Sequence, residues 1–221
     1  KTDRMLHLAN QQKIPLVFFT EGGGGRPGAT DYPMVAGLDL DTWSTMATLS
    51  GLVPIVGIAS GRCFAGNAAL LGCSDVIIAT KNANIGMAGP AMIEGGGLGS
   101  FAPEQIGDSQ VQSSNGVIDI LVEDEQEAVA AAKKYLSYFQ GSIKNWQASD
   151  PRNLRHCITE NRLRSYDIHQ VIENLADVDS VLELRAQFGV GIITAFIRIE
   201  GRPFGVMANN SKHLGGAIDS P

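Results

Sequence analysis

Short apolar runs separated by turns and helical patterns are the feature that most constrains this sequence. Such runs, each four to seven residues long, lie at Pro15–Phe19, Val53–Ala59, Asp75–Thr80, Asn84–Met87 and Val117–Val122. Continuous apolar runs of this length, interleaved with helical stretches, are typical of strands buried on both faces of a parallel sheet. The sequence therefore predicts an α/β fold built from repeated strand–turn–helix units.

The helical stretches support the same interpretation. The clearest helix is predicted over Glu123–Phe139, where apolar side chains recur on one stripe and Lys133 and Lys134 near the end suit the helix dipole. Asp41 can cap a second helix. A third helix, rich in small residues, is predicted from Ala65 to about Gly72.

The composition changes after the first two-thirds of the chain. Gly141–Leu163 is polar and predicts a linker, followed by a helix and three further strands. We place a domain boundary at about residue 150, so that 1–150 forms a first domain, truncated at its start, and 151–221 holds the linker and the beginning of a second. Both ends look cut, and we expect a fragment of a longer subunit.

Composition excludes several classes of function. No apolar run approaches the roughly 18 residues of a membrane-spanning helix. With 17 basic and 23 acidic residues the formal charge is −6, and no basic stripe predicts a nucleic-acid partner. Three cysteines without CxxC spacing, and four histidines without a metal-pair spacing, predict neither a disulfide framework nor a metal site. We expect a cytoplasmic protein, or one of the mitochondrial matrix if the source is a eukaryote.

Glycine, at 26 of 221 residues, is the compositional outlier. Ser60 lacks the flanking glycines of a nucleophile elbow, and Gly95–Gly99 lacks the lysine of a P-loop. The more informative pattern is a glycine-bearing turn after each of two strand candidates, at Gly22–Gly25 and at Ser60–Gly66. Main-chain N–H groups at such turns can stabilise an oxyanion. The alternative, that Ala65 and Gly66 are small only for close packing, stays open on this pattern alone.

A family resemblance favours the first interpretation. The segments that carry it are Val53–Gly57, Ala65–Ala68, Ser74–Ile77, Ile85–Pro90, Ser114–Asp119, Lys134–Phe139, Tyr166–Ile172, Gly201–Asn210 and His213–Asp219. Together they resemble the carboxyltransferase subunits of biotin-dependent acyl-CoA carboxylases, of the propionyl- and acetyl-CoA carboxylase type. These subunits belong to the crotonase superfamily, and the resemblance covers most of the chain.

The resemblance implies a crotonase-like ββα spiral, with most of one domain and the start of a related second domain. It implies that the oxyanion donors are Ala65 and Gly66, where many relatives have two glycines. The substrate-binding residues implied are Gly22, Gly23, Gly24, Gly25, Arg26 and Arg62, with Arg26 a candidate for the CoA phosphates. The glycine turn that would hold biotin lies beyond Pro221, so the fragment alone is expected to be inactive.

The implied reaction is transfer of CO2 from carboxybiotin, on a separate carrier domain, to the α-carbon of an acyl-CoA, a step of fatty acid metabolism. It needs no metal and no catalytic triad in this subunit. The implied partners are acyl-CoA, a biotin carboxylase or biotin carrier subunit, and further copies in a dimer-based oligomer up to a hexamer.

Four alternatives stay open from the sequence. Three are enzymes: a biotin-dependent decarboxylase or transcarboxylase, a crotonase-type hydratase or isomerase that uses Glu94, and, with least support, a Clp-type serine protease, which lacks a serine at residues 65 and 66. The fourth is a non-catalytic scaffold that binds CoA.

Overall fold

The computed structural model describes residues 1–24, 41–161 and 163–219. Gly25 and Arg26, two of the predicted substrate-binding residues, lie outside the described residues. The described part is a mixed α/β structure with a parallel sheet, as the sequence predicts. By their contacts the residues divide into two units, Lys1–Ala132 and Lys133–Pro221.

The main sheet of the first unit has, among the described residues, four parallel strands in the order β1-β2-β4-β6. Their bounds are Leu16–Phe19 for β1, Ile55–Ala59 for β2, Val76–Thr80 for β4 and Ile120–Val122 for β6. Every residue of β2 and β4 is buried, which explains why both strands read as unbroken apolar runs. The last strand begins three residues later than predicted.

Helices pack around this sheet over two apolar clusters. Helices α1 (Thr2–Gln12) and α2 (Asp41–Leu49) share one cluster, which includes Leu6, Met46 and Ile55. Helix α3 (Gly66–Gly72) contributes Leu71 to the other, together with Ile77 and Ile85. The sheet therefore fixes the start of α3 close to the ends of its strands.

A second, two-stranded parallel sheet joins β3 (Arg62–Phe64) to β5 (Asn84–Gly86). The sequence predicted only a turn at Arg62, because a three-residue strand that pairs with a distant segment leaves no periodic signal. Helix α4 (Pro90–Gly95) lies in a segment predicted to be irregular. Helix α5 (Ser109–Ser114) was not predicted, whereas α6 (Glu125–Ser137) confirms the predicted long helix.

The second unit contains short helices and an antiparallel sheet. Its helices are α7 (Leu154–Cys157) and α8 (Ile168–Leu175), and its strands are β7 (Leu182–Leu184), β8 (Ile192–Ile199) and β9 (Arg202–Asn209). A hairpin turn at Gly201, with φ of 76° at that glycine, joins β8 to β9. The predicted linker contains α7, so it is not free of secondary structure. The domain boundary near residue 150 stays a prediction.

Buried polar groups hold this second unit together. The Arg198 guanidinium, 4% exposed, donates to the carbonyl oxygens of Ser137, Gly141 and Gly201. Burial raises the pKa of Tyr138 to about 12, against a weaker opposing effect of the nearby Arg198 charge. In the ranges that the structure describes, no helix is long and apolar enough to cross a membrane.

Candidate active site

The two glycine turns predicted from the sequence lie side by side. Strands β1 and β2 are adjacent and parallel, so their carboxyl ends meet at one edge of the sheet. Thr20, directly after β1, donates both its N–H and its Oγ1 to the carbonyl oxygen of Ile58, each at 3.0 Å. In open α/β sheets this edge is where ligands bind.

Two polar side chains fix one turn against the other. The Glu21 carboxylate accepts hydrogen bonds from the N–H of Ser60 at 2.6 Å and from its hydroxyl at 2.9 Å. The Asn67 amide donates to the Glu21 carbonyl oxygen at 3.3 Å. The sequence alone does not assign these roles. The position of Glu21, between a strand and a glycine run, could have suggested that its carboxylate holds the turn. The two turns are therefore held in a fixed relation.

Both main-chain polar groups of Gly22 form hydrogen bonds with the neighbouring strand. Its N–H donates to the carbonyl oxygen of Arg62 at 2.7 Å, and its own carbonyl accepts from the N–H of Phe64 at 2.9 Å. A Cβ at this position would lie 2.7 Å from the Asn67 side chain. With both main-chain groups paired, Gly22 has a structural role, and its contact with the substrate stays a prediction.

A small pocket of about 120 Å³ lies between the turns. It is lined by Gly23, Gly24, Ala65, Gly89, Pro90, Ala91 and Met92. A Cβ on Gly24 would lie 3.2 Å from the Ala65 Cβ, and one on Gly89 would lie 3.3 Å from the Gly23 carbonyl oxygen. The walls are thus backbone and small side chains in close approach. The structure brings three of the predicted residues, Gly23, Gly24 and Ala65, to one cavity.

The predicted donor at Ala65 requires a correction. Its N–H donates to the carbonyl oxygen of Gly86 at 3.0 Å, as a continuation of the pairing between β3 and β5, so this N–H is already used. Gly66 is exposed and is the first residue of α3, where N–H groups have no partner within the helix. Backbone bonding among the described residues also leaves the N–H groups of Gly23 and Gly24 unpaired. The candidate donors are therefore the N–H groups of Gly23 and Gly24, which line the pocket, and that of Gly66, which begins α3 but is not among the described residues of the lining.

Trp43 of α2 borders the start of α3. A Cβ on Gly66 would lie 3.9 Å from Trp43 Cζ2. The indole Nε1 is buried and has no hydrogen-bond partner among the described residues. A buried N–H without a partner is costly, so this group could donate to a ligand oxygen.

The remaining candidate side chains lie outside the pocket lining. Arg62 forms an ion pair with Glu104, and both side chains are more than half exposed. Glu94, the acid that a hydratase would need, is exposed and does not line the pocket. Burial raises the pKa of the Cys63 thiol, which therefore stays protonated near neutral pH. Within the described ranges no group of three or more histidine, cysteine, aspartate or glutamate side chains could hold a metal ion.

Comparison with known proteins identifies the family. Residues 41–221 match the carboxyl transferase domain. The chain is 29% identical, over 99% of its length and 45% of the relative, to the uncharacterised carboxylase YngE of Bacillus subtilis (strain 168). It is 29% identical, over 93% of its length and 40% of the relative, to the methylmalonyl-CoA carboxyltransferase 12S subunit of Propionibacterium freudenreichii subsp. shermanii.

A solved structure is similar to this chain in both sequence and fold. A single-chain, multi-domain long-chain acyl-CoA carboxylase is 59% identical and superimposes with a TM-score of 0.94, covering 99% of this chain and 22% of that one. This similarity confirms the predicted crotonase-like fold. The chain spans less than half the length of the curated relatives it matches. It belongs to the carboxyl transferase domain family.

Proposed function

We propose that the full-length protein is the carboxyltransferase component of a biotin-dependent acyl-CoA carboxylase, and that this chain binds the acyl thioester. The observation that carries the proposal is the pocket between the two glycine turns in a chain of the carboxyl transferase domain family. Its free main-chain N–H groups suit a carbonyl oxygen that gains negative charge.

The chain's own contribution is electrostatic. We place the thioester oxygen at the N–H of Gly23 or Gly24 and assign the N–H of Gly66, at the start of α3, as a second donor. Both hydrogen bonds strengthen as the enolate forms at the α-carbon. The partial positive charge at the start of α3 acts in the same direction. The hydrogen bonds of Glu21 and Asn67 keep the turns in place, so no reorganisation is needed during the reaction.

The pocket also fits a reaction whose base comes from elsewhere. The residues that line it in the described part of the chain carry no ionisable side chain. Carboxybiotin, when bound, supplies both the carboxyl group and a basic ureido nitrogen. Arg26 stays our candidate for the CoA phosphates, and a biotin carboxylase or carrier subunit and further copies of the chain are the proposed partners. We also propose a cytoplasmic location.

Gly66→Pro in the full-length enzyme tests the donor. Proline removes the N–H at the first position of the helix, and we expect kcat for acyl-CoA carboxylation to fall by roughly 10²–10³-fold, as for loss of one oxyanion donor. Glu125→Pro is the matched control, because Glu125 is the exposed first residue of α6 and lies outside the pocket lining. An unchanged kcat in a folded Gly66→Pro enzyme would contradict the assignment.

A transcarboxylase subunit is the second candidate, since the Propionibacterium relative is named a methylmalonyl-CoA carboxyltransferase. Dependence on ATP and bicarbonate separates the two, because only a carboxylase must make carboxybiotin afresh. A hydratase or isomerase is not favoured, because Glu94 does not line the pocket. Acyl-CoA binding without any carboxylation by the holoenzyme would instead favour a scaffold.

A further inference from the structure

The segment that follows the pocket, Pro90–Phe101, is apolar and exposed. Met92 is 61% exposed, Leu98 74% and Phe101 44%. Glu94 is the only charged residue in the segment. Contiguous exposed apolar surface on a folded protein marks a binding site for an apolar partner. This surface begins inside the candidate active site, because Met92 also lines the pocket.

The triple glycine at residues 95–97 shapes this segment. The N–H of Leu98 donates to the carbonyl oxygen of Ile93 at 3.1 Å, and that of Gly97 donates to Glu94 at 3.0 Å. With φ of 70° at Gly97, this is a Schellman motif at the end of α4. In such a motif the residue after the glycine follows the helix end directly, and here that residue is the exposed Leu98. The glycines, which fit no phosphate-binding pattern, thus end α4 and place an apolar side chain directly after it.

The volume of the pocket limits how much of a substrate it can enclose. Pockets that enclose a whole small ligand measure about 300–1,000 Å³, whereas this one holds about 120 Å³. It has room for the thioester carbonyl and the first atoms beside it. A longer acyl chain must leave the pocket along a wall, and Met92 is the one long apolar side chain among the lining residues that the structure describes.

We propose that the α4 surface, formed by Met92, Leu98 and Phe101, carries the acyl chain of the substrate and sets the preference for long-chain over short-chain acyl-CoA. Flexible, polarisable methionine suits a contact with a mobile hydrocarbon chain. The inference rests on the proposed function, since it takes the pocket to hold the thioester, and it adds the substrate class and the residues that select it.

The test compares chain lengths in the full-length holoenzyme. For Leu98→Ala, a residue of the α4 surface that is not in the pocket lining, we expect kcat/KM to fall roughly tenfold for myristoyl-CoA and less than about twofold for propionyl-CoA, which makes little contact beyond the pocket. Met5→Ala is the matched control: this methionine of α1 is 50% exposed and does not line the pocket. It should leave the ratio between the two substrates unchanged.

Other outcomes would overturn the proposal. An equal loss for both substrates, or none for either, would mean that the α4 surface does not contact the chain. A change in oligomeric state with Leu98→Ala, seen by light scattering, would mean that another copy of the chain covers the α4 surface. If the wild-type enzyme carboxylated neither thioester, the proposed function would fail. The affinity ratio of myristoyl-CoA to CoA in the two variants would then still decide the α4 assignment.

Discussion

Replacing Ala65 with glycine should stabilise the protein, although glycine usually destabilises an ordered segment. Ala65 adopts φ of 56° and ψ of −124°, a conformation that residues with a Cβ rarely populate. The turn imposes it, because the Ala65 N–H is held by Gly86 while the next residue begins α3. The strain is therefore local to a residue that lines the pocket.

Three effects set the magnitude. Relief of a strained backbone conformation contributes about 1–3 kcal/mol. Against it, glycine raises the entropy of the unfolded chain at a cost of about 0.4–1 kcal/mol. Loss of one half-buried methyl group costs at most about 0.8 kcal/mol. Strain relief exceeds the other two at mid-range values, so we expect Ala65→Gly to raise the free energy of unfolding by about 1 kcal/mol. For a unit of this size, that is a Tm increase of about 2–4 °C.

Calorimetry or thermal circular dichroism on the full-length protein measures this effect, with Ala69→Gly as the matched control. Ala69 lies inside α3, where the same substitution should destabilise by about 1 kcal/mol. Ala65→Val should also destabilise, because a β-branched residue fits a positive φ less well than alanine does. A fall in Tm for Ala65→Gly as large as that for Ala69→Gly would refute the reasoning, since it would mean that the turn stores no strain.

Two further predictions concern stability. Gly107→Ala should destabilise by more than about 3 kcal/mol in urea titrations, because a Cβ there would lie 1.8 Å from the Ile85 carbonyl oxygen at φ of 62°. Gly141→Ala, at φ of 83° with open space around it, should cost only about 1 kcal/mol; equal losses would contradict the steric argument. The pKa of about 12 for Tyr138 predicts that stability falls as pH rises from about 10, where an unfolded tyrosine ionises, to about 12. Tyr138→Phe should flatten that slope in alkaline unfolding followed by tyrosinate absorbance, and an unchanged slope would exclude Tyr138 as its source.

The sequence predicts the larger elements well because each has its own periodic signal. Strands β2 and β4 are unbroken apolar runs, and the apolar stripe of α6 is visible without any tertiary information. Strand β3 and helix α4 depend on distant partners or on glycine geometry, and neither leaves a pattern in the sequence. The sequence also does not reveal which main-chain N–H groups at the site are free. Only the pairing of Ala65 with Gly86 in the structure shows that one predicted donor is already used.

The backbone walls of the pocket have a consequence for inhibition. Electrophilic reagents that inactivate many enzymes react with a serine, cysteine or lysine side chain, and the described residues that line this cavity include none of these. Such reagents should therefore leave these lining residues unmodified. Reversible compounds that present a fixed anionic oxygen to the amides, with a hydrocarbon tail directed along α4, match what the cavity offers.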